Sequence, residues 1–335
     1  MTPTTSTIQL TDLSTPESKN SITARFANDV KKGLTQQQKQ LSSRYFYDGE
    51  GSRLFQKIMQ LPEYYLTRSE HEVFTTHQQT IAEQLAAKGN FHLIDLGAGD
   101  ATKTKIILKQ LLQQQADFDY VPVDISGDAM TELCEHLQAE LPALQAHAVV
   151  GDYFDALEWL DTNKPGRKVL LFLGSNIGNF NPDERSAFLQ KVRSHMQPGD
   201  MLLIGMDQCK APETILKAYD DAAGVTADFN LNLLHRINRE LGGNFETDQF
   251  RHFALYDPQI GVMKSFLISQ QDQNVTIKAT EQTFHFHAWE AIHTESSYKF
   301  TLQQAETIGN EAGFNIQHIF QDKNCYFADV LYVVT

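Results

Sequence analysis

The chain has 335 residues, 41% of them hydrophobic, and a formal net charge of −14 at pH 7. A chain of this length can bury a large core without disulfide bonds. Its three cysteines, Cys134, Cys209 and Cys325, show no CxxC spacing, which argues against a zinc site, a redox pair or a secreted disulfide framework. The negative charge repels nucleic acid and anionic membranes. The polar N-terminal residues lack a secretory pattern, so we expect a cytoplasmic, monomeric protein with a small-molecule substrate.

Short apolar runs alternate with amphipathic stretches from about residue 92 onward. This alternation is typical of a doubly wound parallel sheet, because buried parallel strands are apolar on both faces and helices connect them. The strand-like runs are FHLIDLG, DYVPVDI, HAVVGD, KVLLFLG and MLLIGM.

One helix boundary is marked by its residue types. Asn181 is a suitable N-cap and Pro182 costs no hydrogen bond at the first helical position, so a helix is predicted to begin there. It should end near Pro198 and Gly199, which break helices.

The alternation stops after residue 207. Helical text such as PETILKAYDDAAGVTADFNLNLLHRINRELG runs into strand-like text such as VMKSFLISQ and VTIKATEQTFHFHAW, which indicates an inserted or second α+β domain. The C-terminal text, LQQAETIGNEAGF followed by DVLYVV, returns to helix and strand and could close the first sheet. The first domain is therefore expected to be discontinuous.

The segment LIDLGAGDATKT, residues 93–104, is a buried strand followed by a glycine turn and a helix start. Open α/β sheets bind nucleotides at such strand ends, and Gly97 and Gly99 allow a ligand to approach the backbone. Lys103 in the same segment is a further candidate for cofactor binding. A dinucleotide fingerprint would need a third glycine where Thr102 stands, so an adenosyl ligand without a pyrophosphate is favoured.

Two further acids follow predicted strands. Asp124 ends YVPVD, where a carboxylate can accept both ribose hydroxyls, and Asp152 follows AVVG, where it could accept from an adenine amino group. Each aspartate alone could equally cap a turn or helix.

Four longer segments resemble the histidine-specific N-alpha-methyltransferases of ergothioneine biosynthesis. The similarity extends over nearly the whole chain and lies in both expected domains. The segments are YFYDGEGSRLFQKIMQLPEYYLTRSE (45–70), LFLGSNIGNF (171–180), AYDDAAGVTADFN (218–230) and HTESSYKF (293–300).

The resemblance implies a class I S-adenosylmethionine-dependent methyltransferase with a Rossmann-like α/β sheet. Residues 68–206 and 300–335 would form the cofactor domain, and 16–67 with 207–299 a substrate domain, with the active site in the cleft. Residues 1–15 are expected to be mobile. The expected reaction is methylation of the α-amino group of L-histidine, three times, which gives the betaine hercynine.

The resemblance also implies roles for individual residues. Tyr47 is the candidate catalytic residue, which orients the amine, and no metal is required. The remaining candidates, for substrate binding, are Tyr64 in the pocket wall, Asn179 and Tyr219 at the backbone groups of the amino acid, and Glu295 and Ser297 at the imidazole. A carboxylate and a hydroxyl suit the two ring nitrogens, because the hydroxyl can serve either tautomer.

One position departs from the family pattern. The usual IEMxL run corresponds here to MKSFL, so Ser265 stands where a methionine would pack beside the substrate ring, and Lys264 replaces an acid. A small polar wall could enlarge the pocket. The substrate could then be another aromatic amino acid or amine, such as the tryptophan derivatives methylated by fungal relatives.

Other classes fit less of the sequence. A metal-dependent hydrolase could use His285 and His287 on one strand face with His293 nearby, but two histidines at i and i+2 supply only two ligands. A nicotinamide oxidoreductase lacks the third glycine of its fingerprint. A non-catalytic S-adenosylmethionine or amino-acid binding protein would retain the same motifs without turnover.

Overall fold

The computed structural model describes residues 8–14 and 16–335, which fold as two compact units. Unit 1 comprises the described residues up to Ser14 together with 66–208 and 300–335. Unit 2 comprises residues 16–65 together with 209–299. The first two boundaries expected from the sequence, 67/68 and 206/207, each lie two residues from these. The assignment of one unit to the cofactor and the other to the substrate stays a prediction.

Helices and strands are numbered in chain order. The helices are α1 (Pro16–Leu34), α2 (Gly49–Gln60), α3 (Tyr65–Ala86), α4 (Thr104–Gln113), α5 (Gly127–Glu140), α6 (Tyr153–Asn163), α7 (Pro182–Ser194), α8 (Pro212–Tyr219), α9 (Val225–Leu241) and α10 (Leu302–Glu311). The strands are β1 (Gln9–Asp12), β2 (Phe91–Leu96), β3 (Phe118–Asp124), β4 (His147–Val150), β5 (Lys168–Phe172), β6 (Met201–Asp207), β7 (Phe250–Asp257), β8 (Val262–Ser269), β9 (Gln273–Ile277), β10 (Gln282–Phe286), β11 (Ala291–Tyr298), β12 (Phe314–Gln321) and β13 (Phe327–Val334).

Unit 1 is built on an eight-stranded sheet in the order β1-β4-β3-β2-β5-β6-β13-β12. Neighbouring strands from β1 to β6 are parallel, while β13 is antiparallel to both β6 and β12. Strands β5 and β6 are buried along their whole length, as expected for strands covered on both faces. The strand order reverses between β2 and β5, which is where open α/β sheets form a ligand crevice. The Rossmann-like fold predicted from the sequence is confirmed.

The N-terminal strand corrects one expectation. Gln9–Asp12 pairs in parallel with His147–Val150, and Leu13 N donates to Val150 O at 2.9 Å. The predicted mobility is therefore wrong for this strand, while residues 1–7 and 15 lie outside the described residues. The edge of β4 would otherwise present unpaired N–H and C=O groups, and pairing with β1 satisfies them.

Unit 2 contains a three-stranded antiparallel sheet, β11-β8-β7, and the two-stranded β9–β10 hairpin. Helix α9 packs against α2 and β7 and buries an apolar face that includes Phe229, Leu233 and Ile237. These three residues recur at helical spacing, so one face of α9 is apolar and drives its burial. The predicted second α+β domain is confirmed.

The last two features of the fold concern membrane-spanning helices and the exposure of the cysteines. Among the described residues, no helix combines the length and the apolar character that a membrane crossing requires. Cys134 is partly buried, whereas Cys209 and Cys325 are exposed. Both exposed cysteines lie in connections between elements, where the core does not cover them.

Candidate active site

The glycine turn follows β2 at the carboxyl end of the sheet in unit 1. Gly97 has φ of +79°, and a Cβ there would lie 2.9 Å from the Tyr153 hydroxyl oxygen. Gly99 has φ of +53°, and a Cβ there would meet no atom within 4 Å. The turn therefore needs glycine at 97 for both conformation and space, and its backbone at Gly99 borders open space that a ligand can enter.

A buried acid, Asp95, stabilises the strand that leads into the glycine turn. Asp95 in β2 accepts hydrogen bonds from Thr104 Oγ1 at 2.6 Å and from the Tyr120 hydroxyl at 2.9 Å. Burial raises the pKa of Asp95 to about 6, against the two hydrogen bonds, which lower it. Asp95 thus connects β2 to α4 and β3. Asp95 was not among the residues predicted from the sequence, although an acid within an apolar strand is a recognisable signal.

The two acids predicted to hold the adenosyl group lie at the ends of β3 and β4. Asp124 accepts from Gly99 N at 3.2 Å and from Ser126 N at 3.0 Å. Asp152 is the N-cap of α6 and accepts from Phe154 N at 3.1 Å. Each carboxylate therefore has a local structural role. A carboxylate offers about four lone-pair positions, so both can still accept from ribose hydroxyls or an adenine amino group.

Lys103 lies beside the turn and forms an ion pair with the buried Glu70. The other oxygen of Glu70 accepts from Gly174 N at 2.7 Å, which joins α3 to the end of β5. Asp329 is fully buried, and neither of its oxygens has a hydrogen-bond partner. Burial and the nearby Glu70 carboxylate raise its pKa, while Lys103 opposes the rise. The sequence identified Lys103 alone, because Glu70 and Asp329 are distant from it along the chain.

Asn179 ends a short 3₁₀ turn, Asn176–Asn179, that follows β5. Ser175 enters this turn in the left-handed region with φ of +58°, and its hydroxyl oxygen accepts from Asp207 N at 2.9 Å. The Asn179 side chain is half-buried and has no hydrogen-bond partner within the described part of the chain. Its amide is therefore held in place by a fixed backbone and available to a ligand.

In unit 2, β8 and β11 bring the predicted imidazole contacts onto one sheet face. Glu295 is directly opposite Ser265, and Ser297 is opposite Met263. Directly opposed residues, and residues two apart along a strand, share a face. A register shift between His293 and Glu295 places His293 on the other face, where its Nε2 lies 3.0 Å from Ser296 Oγ. The bulge thus separates His293 from the predicted contacts.

Ser297 belongs to a buried polar triangle with Tyr219, which was also predicted from the sequence, and Lys299, which was not. Its Oγ lies 2.9 Å from the Tyr219 hydroxyl oxygen, and Lys299 Nζ donates to both oxygens at 2.8 Å. Lys299 is 1% exposed. A buried ammonium needs such partners, since burial without them disfavours its charge. Lys299 therefore positions the two hydroxyls and adds a positive charge to this face.

Glu295 lies half-buried on the same face, and its carboxylate has no hydrogen-bond partner among the described side chains and backbone groups. Burial raises its pKa to about 7, and the Lys299 charge opposes that rise. A carboxylate without a protein donor leaves its oxygens to accept from a ligand. An imidazole N–H is one such donor.

Ser265 is 1% exposed, and its hydroxyl has no hydrogen-bond partner. Its backbone carbonyl lies 3.1 Å from Thr294 Oγ1, so its main chain is fixed. Met263, two residues earlier on the same face, is also 1% exposed and supplies an apolar side chain opposite Ser297. The face thus retains a methionine despite the serine at position 265.

The two predicted pocket tyrosines belong to an aromatic group in unit 2. Tyr64 is 9% exposed, and its ring packs edge-on against Tyr219, with 6.3 Å between centroids. Tyr47 is 49% exposed, with ring edges against Phe55 at 5.4 Å and Phe229 at 5.7 Å. The next residue after Tyr47 caps α2, and this fixes the backbone that carries the Tyr47 ring.

The sheet of unit 1, its open glycine turn and the two acids at adjacent strand ends fit an adenosyl ligand without a pyrophosphate. Together they define a class I S-adenosylmethionine-dependent methyltransferase. A model of the family described as "Histidine-specific methyltransferase, SAM-dependent" matches residues 26–334. The chain belongs to this family.

Two relatives with similar sequences agree with this membership. The chain is 37% identical over 294 residues to histidine N-alpha-methyltransferase of Mycolicibacterium smegmatis, covering 88% of this chain and 90% of that protein. It is also 37% identical over 275 residues to the Mycobacterium tuberculosis protein of the same name, covering 82% and 84%. Among solved structures, mitomycin 7-O-methyltransferase is similar at a TM-score of 0.46 and 12% identity, over 93% of this chain and 68% of that one.

Proposed function

We propose that this protein transfers methyl groups from S-adenosylmethionine to the α-amino group of L-histidine, three times, and releases hercynine. The observation that carries the substrate assignment is the Glu295 carboxylate beside the Ser297 hydroxyl on one sheet face, with no protein donor to Glu295. Family membership supports the reaction. Cytoplasmic location and a monomeric state remain predictions.

Four residues of unit 1 are assigned to the cofactor. Gly97 would maintain the turn, and Gly99 would face the cofactor across open space. Asp124 would accept the ribose hydroxyls, and Asp152 would accept from the adenine amino group. When bound, S-adenosylmethionine supplies an electrophilic methyl group on a sulfonium. Lys103 is assigned a positioning role through Glu70, because its ammonium is already paired with that carboxylate.

The imidazole is assigned to Glu295 and Ser297. A Glu295 carboxylate accepts one ring N–H, and the Ser297 hydroxyl contacts the other nitrogen as donor or acceptor. A hydrogen bond to a charged group contributes about 1.5–3 kcal/mol, more than a neutral one. Lys299 holds the Ser297 oxygen at 2.8 Å, so the hydroxyl is oriented before a ligand binds.

The α-carboxylate is assigned to Asn179 and Tyr219. The Asn179 amide can donate to a carboxylate oxygen, and it has no competing partner within the described part of the chain. Tyr219 accepts from Lys299 Nζ at 2.8 Å, and a phenolic hydroxyl can donate to a carboxylate oxygen. The nearby ammonium also favours an anionic group at this position.

The amine is assigned to Tyr47. The substrate amine must be neutral to attack the methyl group. A neighbouring sulfonium lowers the pKa of this amine because like charge disfavours the ammonium. No strong base is then needed, and Tyr47 orients the nitrogen directly or through water. Holding the nitrogen in line with the methyl carbon supplies much of the acceleration. The Tyr47 ring also offers a cation–π contact as the nitrogen becomes quaternary.

A second candidate substrate class follows from Ser265. Its small side chain, with an unpartnered buried hydroxyl, stands next to Glu295 where the family has a methionine. A polar or larger aromatic ring, such as an indole with an N–H, could use that hydroxyl. Met263 on the same face favours histidine, since it restores an apolar side chain beside Ser297.

The test is turnover of the purified chain with S-adenosylmethionine and separate free amino acids, with methylated products identified by mass spectrometry. Trimethylated histidine as the preferred product supports the full proposal. Inert histidine with a methylated tryptophan derivative would keep the fold and cofactor and reassign the pocket around Ser265. Calorimetric binding of both ligands without any product would instead support a non-catalytic binding protein.

A further inference from the structure

The β9–β10 hairpin of unit 2 carries a cluster of two imidazoles and a carboxylate that has no part in the proposed methyl transfer. Asp272 precedes β9, His285 lies in β10 and His287 follows it. One ligand atom from each residue lies within 4.8 Å of the other two, and all three side chains are exposed. From the sequence, only the two histidines were expected to lie together. Asp272 is distant from them in the chain, and the pairing of β9 with β10 brings it to them.

The separations within this cluster match those of ligands on a tetrahedral metal ion. His285 Nε2 lies 3.3 Å from His287 Nδ1, and His287 Nδ1 lies 3.3 Å from Asp272 Oδ1. Zinc bonds to nitrogen or oxygen of about 2.0–2.1 Å place neighbouring tetrahedral ligands about 3.3–3.4 Å apart. Two edges of the cluster therefore already have the length that a shared zinc ion imposes.

A neighbouring residue sets the tautomer of one imidazole. His285 Nδ1 lies 3.0 Å from Asn274 Oδ1, its direct partner across the hairpin. An amide oxygen accepts, so the His285 proton lies on Nδ1 and the lone pair of Nε2 faces His287. This is the outer contact that metal-binding histidines commonly make.

The backbone at His287, which follows β10, is also held in place by hydrogen bonding. His287 N donates to Glu290 Oε2 at 2.8 Å, and Glu290 is paired with Lys39. The backbone that carries His287 is thus held at both ends, by strand β10 and by this contact. A fixed backbone reduces the ordering that ligand binding requires.

We propose that Asp272, His285 and His287 form a surface site for a divalent transition-metal ion, with zinc as the ion tested. Imidazole and carboxylate donors suit zinc, nickel and copper, whereas magnesium and calcium prefer oxygen ligands alone. Three protein ligands leave the fourth zinc position to water or to a donor from another molecule.

The experiment is equilibrium dialysis of the full chain, first stripped with a chelator, against Zn²⁺ or Mg²⁺, followed by metal analysis. Because Cys209 and Cys325 are exposed and thiols are zinc ligands in general, the quantity measured is the difference between variants. The variants are His285→Gln and Asp272→Asn, and the control is His318→Gln, an exposed histidine on β12.

We expect both cluster variants to lose one equivalent of zinc relative to the wild-type chain, while the control loses none and Mg²⁺ does not bind at the cluster. Equal zinc content in the wild-type chain and both cluster variants would overturn the proposal. Thermal unfolding of each variant checks folding, and His287→Gln replaces any variant that unfolds. Histidine turnover is not the readout, so failure here is separable from failure of the proposed function.

Discussion

Replacing Glu295 with glutamine removes a charge while keeping the shape of the side chain, and its effect on stability depends on pH. The pKa of Glu295 is raised from 4.5 to about 7, mainly by burial. At about 1.4 kcal/mol per pKa unit, this rise corresponds to at most about 3.5 kcal/mol of folding free energy.

The sign follows from the raised pKa. Below pH 4.5 the carboxyl is protonated in both the folded and the unfolded chain, and its contribution to stability is fully present. That contribution is lost as the pH rises through 7, because the unfolded chain ionises more readily than the folded one. The Glu295→Gln variant cannot ionise, so it should be more stable than the wild-type chain at pH 8, with little difference at pH 4.5.

The same substitution should weaken histidine binding. Glutamine can still accept from the imidazole N–H, but a neutral hydrogen bond is weaker than a charged one by about 1–2 kcal/mol, which is about 5- to 30-fold in KM. The affinity for S-adenosylmethionine should not change. Ser296→Ala is the matched control, because Ser296 is adjacent on β11 but contacts His293 on the other face.

Two assays check this reasoning. Urea unfolding at pH 4.5 and pH 8 measures the stability difference between variant and wild type, and calorimetry with steady-state kinetics measures histidine binding. A stability difference that does not change with pH would refute the burial of the charge. Unchanged histidine KM in Glu295→Gln would refute the imidazole contact, whatever the stability result.

Three further substitutions test other parts of the site. Lys299→Met removes the charge that lowers the Glu295 pKa, so the pH dependence of histidine binding should shift upward; an unchanged profile would contradict the role of Lys299. Gly97→Ala should weaken S-adenosylmethionine binding about tenfold or more, because a side chain at φ of +79° costs about 1–2 kcal/mol and meets the Tyr153 hydroxyl. Calorimetry measures the S-adenosylmethionine affinity. Adding Tyr153→Phe should recover part of the lost affinity. Asn179→Ala should lower histidine affinity about fivefold or more by losing about 1 kcal/mol of hydrogen bonding, yet leave the binding of histamine, which has no carboxylate, unchanged; equal losses for both ligands would exclude the carboxylate assignment.

Features that depend on near neighbours in the chain were predicted from the sequence. The apolar runs of unit 1 form β2 to β6 as expected. Asn181 caps α7 in a capping box with Glu184, and Pro182 is its first residue. Such features follow from local sterics, hydrogen bonding and periodicity, which a short window of sequence contains.

The resemblance to the family identified residues of unit 2 that the structure brings together. Glu295 and Ser297 share a sheet face, and Tyr219 contacts both Ser297 and Tyr64. Residue spacing alone would have put His293 on the same face as Glu295, since they are two apart. The register shift between them reverses this, and no local signal in the sequence marks it.

The sequence by itself determined the two-domain plan, the parallel sheet, the glycine turn and the acids that follow the strands. Only the tertiary structure decided that Gln9–Asp12 completes the sheet edge, that Lys299 is buried between two hydroxyls, and that Asp272 joins His285 and His287. The physical reason is that strand pairing and the burial of a charge depend on partners distant in the chain. The free energy of strand pairing or of burying a charge is defined only when those partners are in contact.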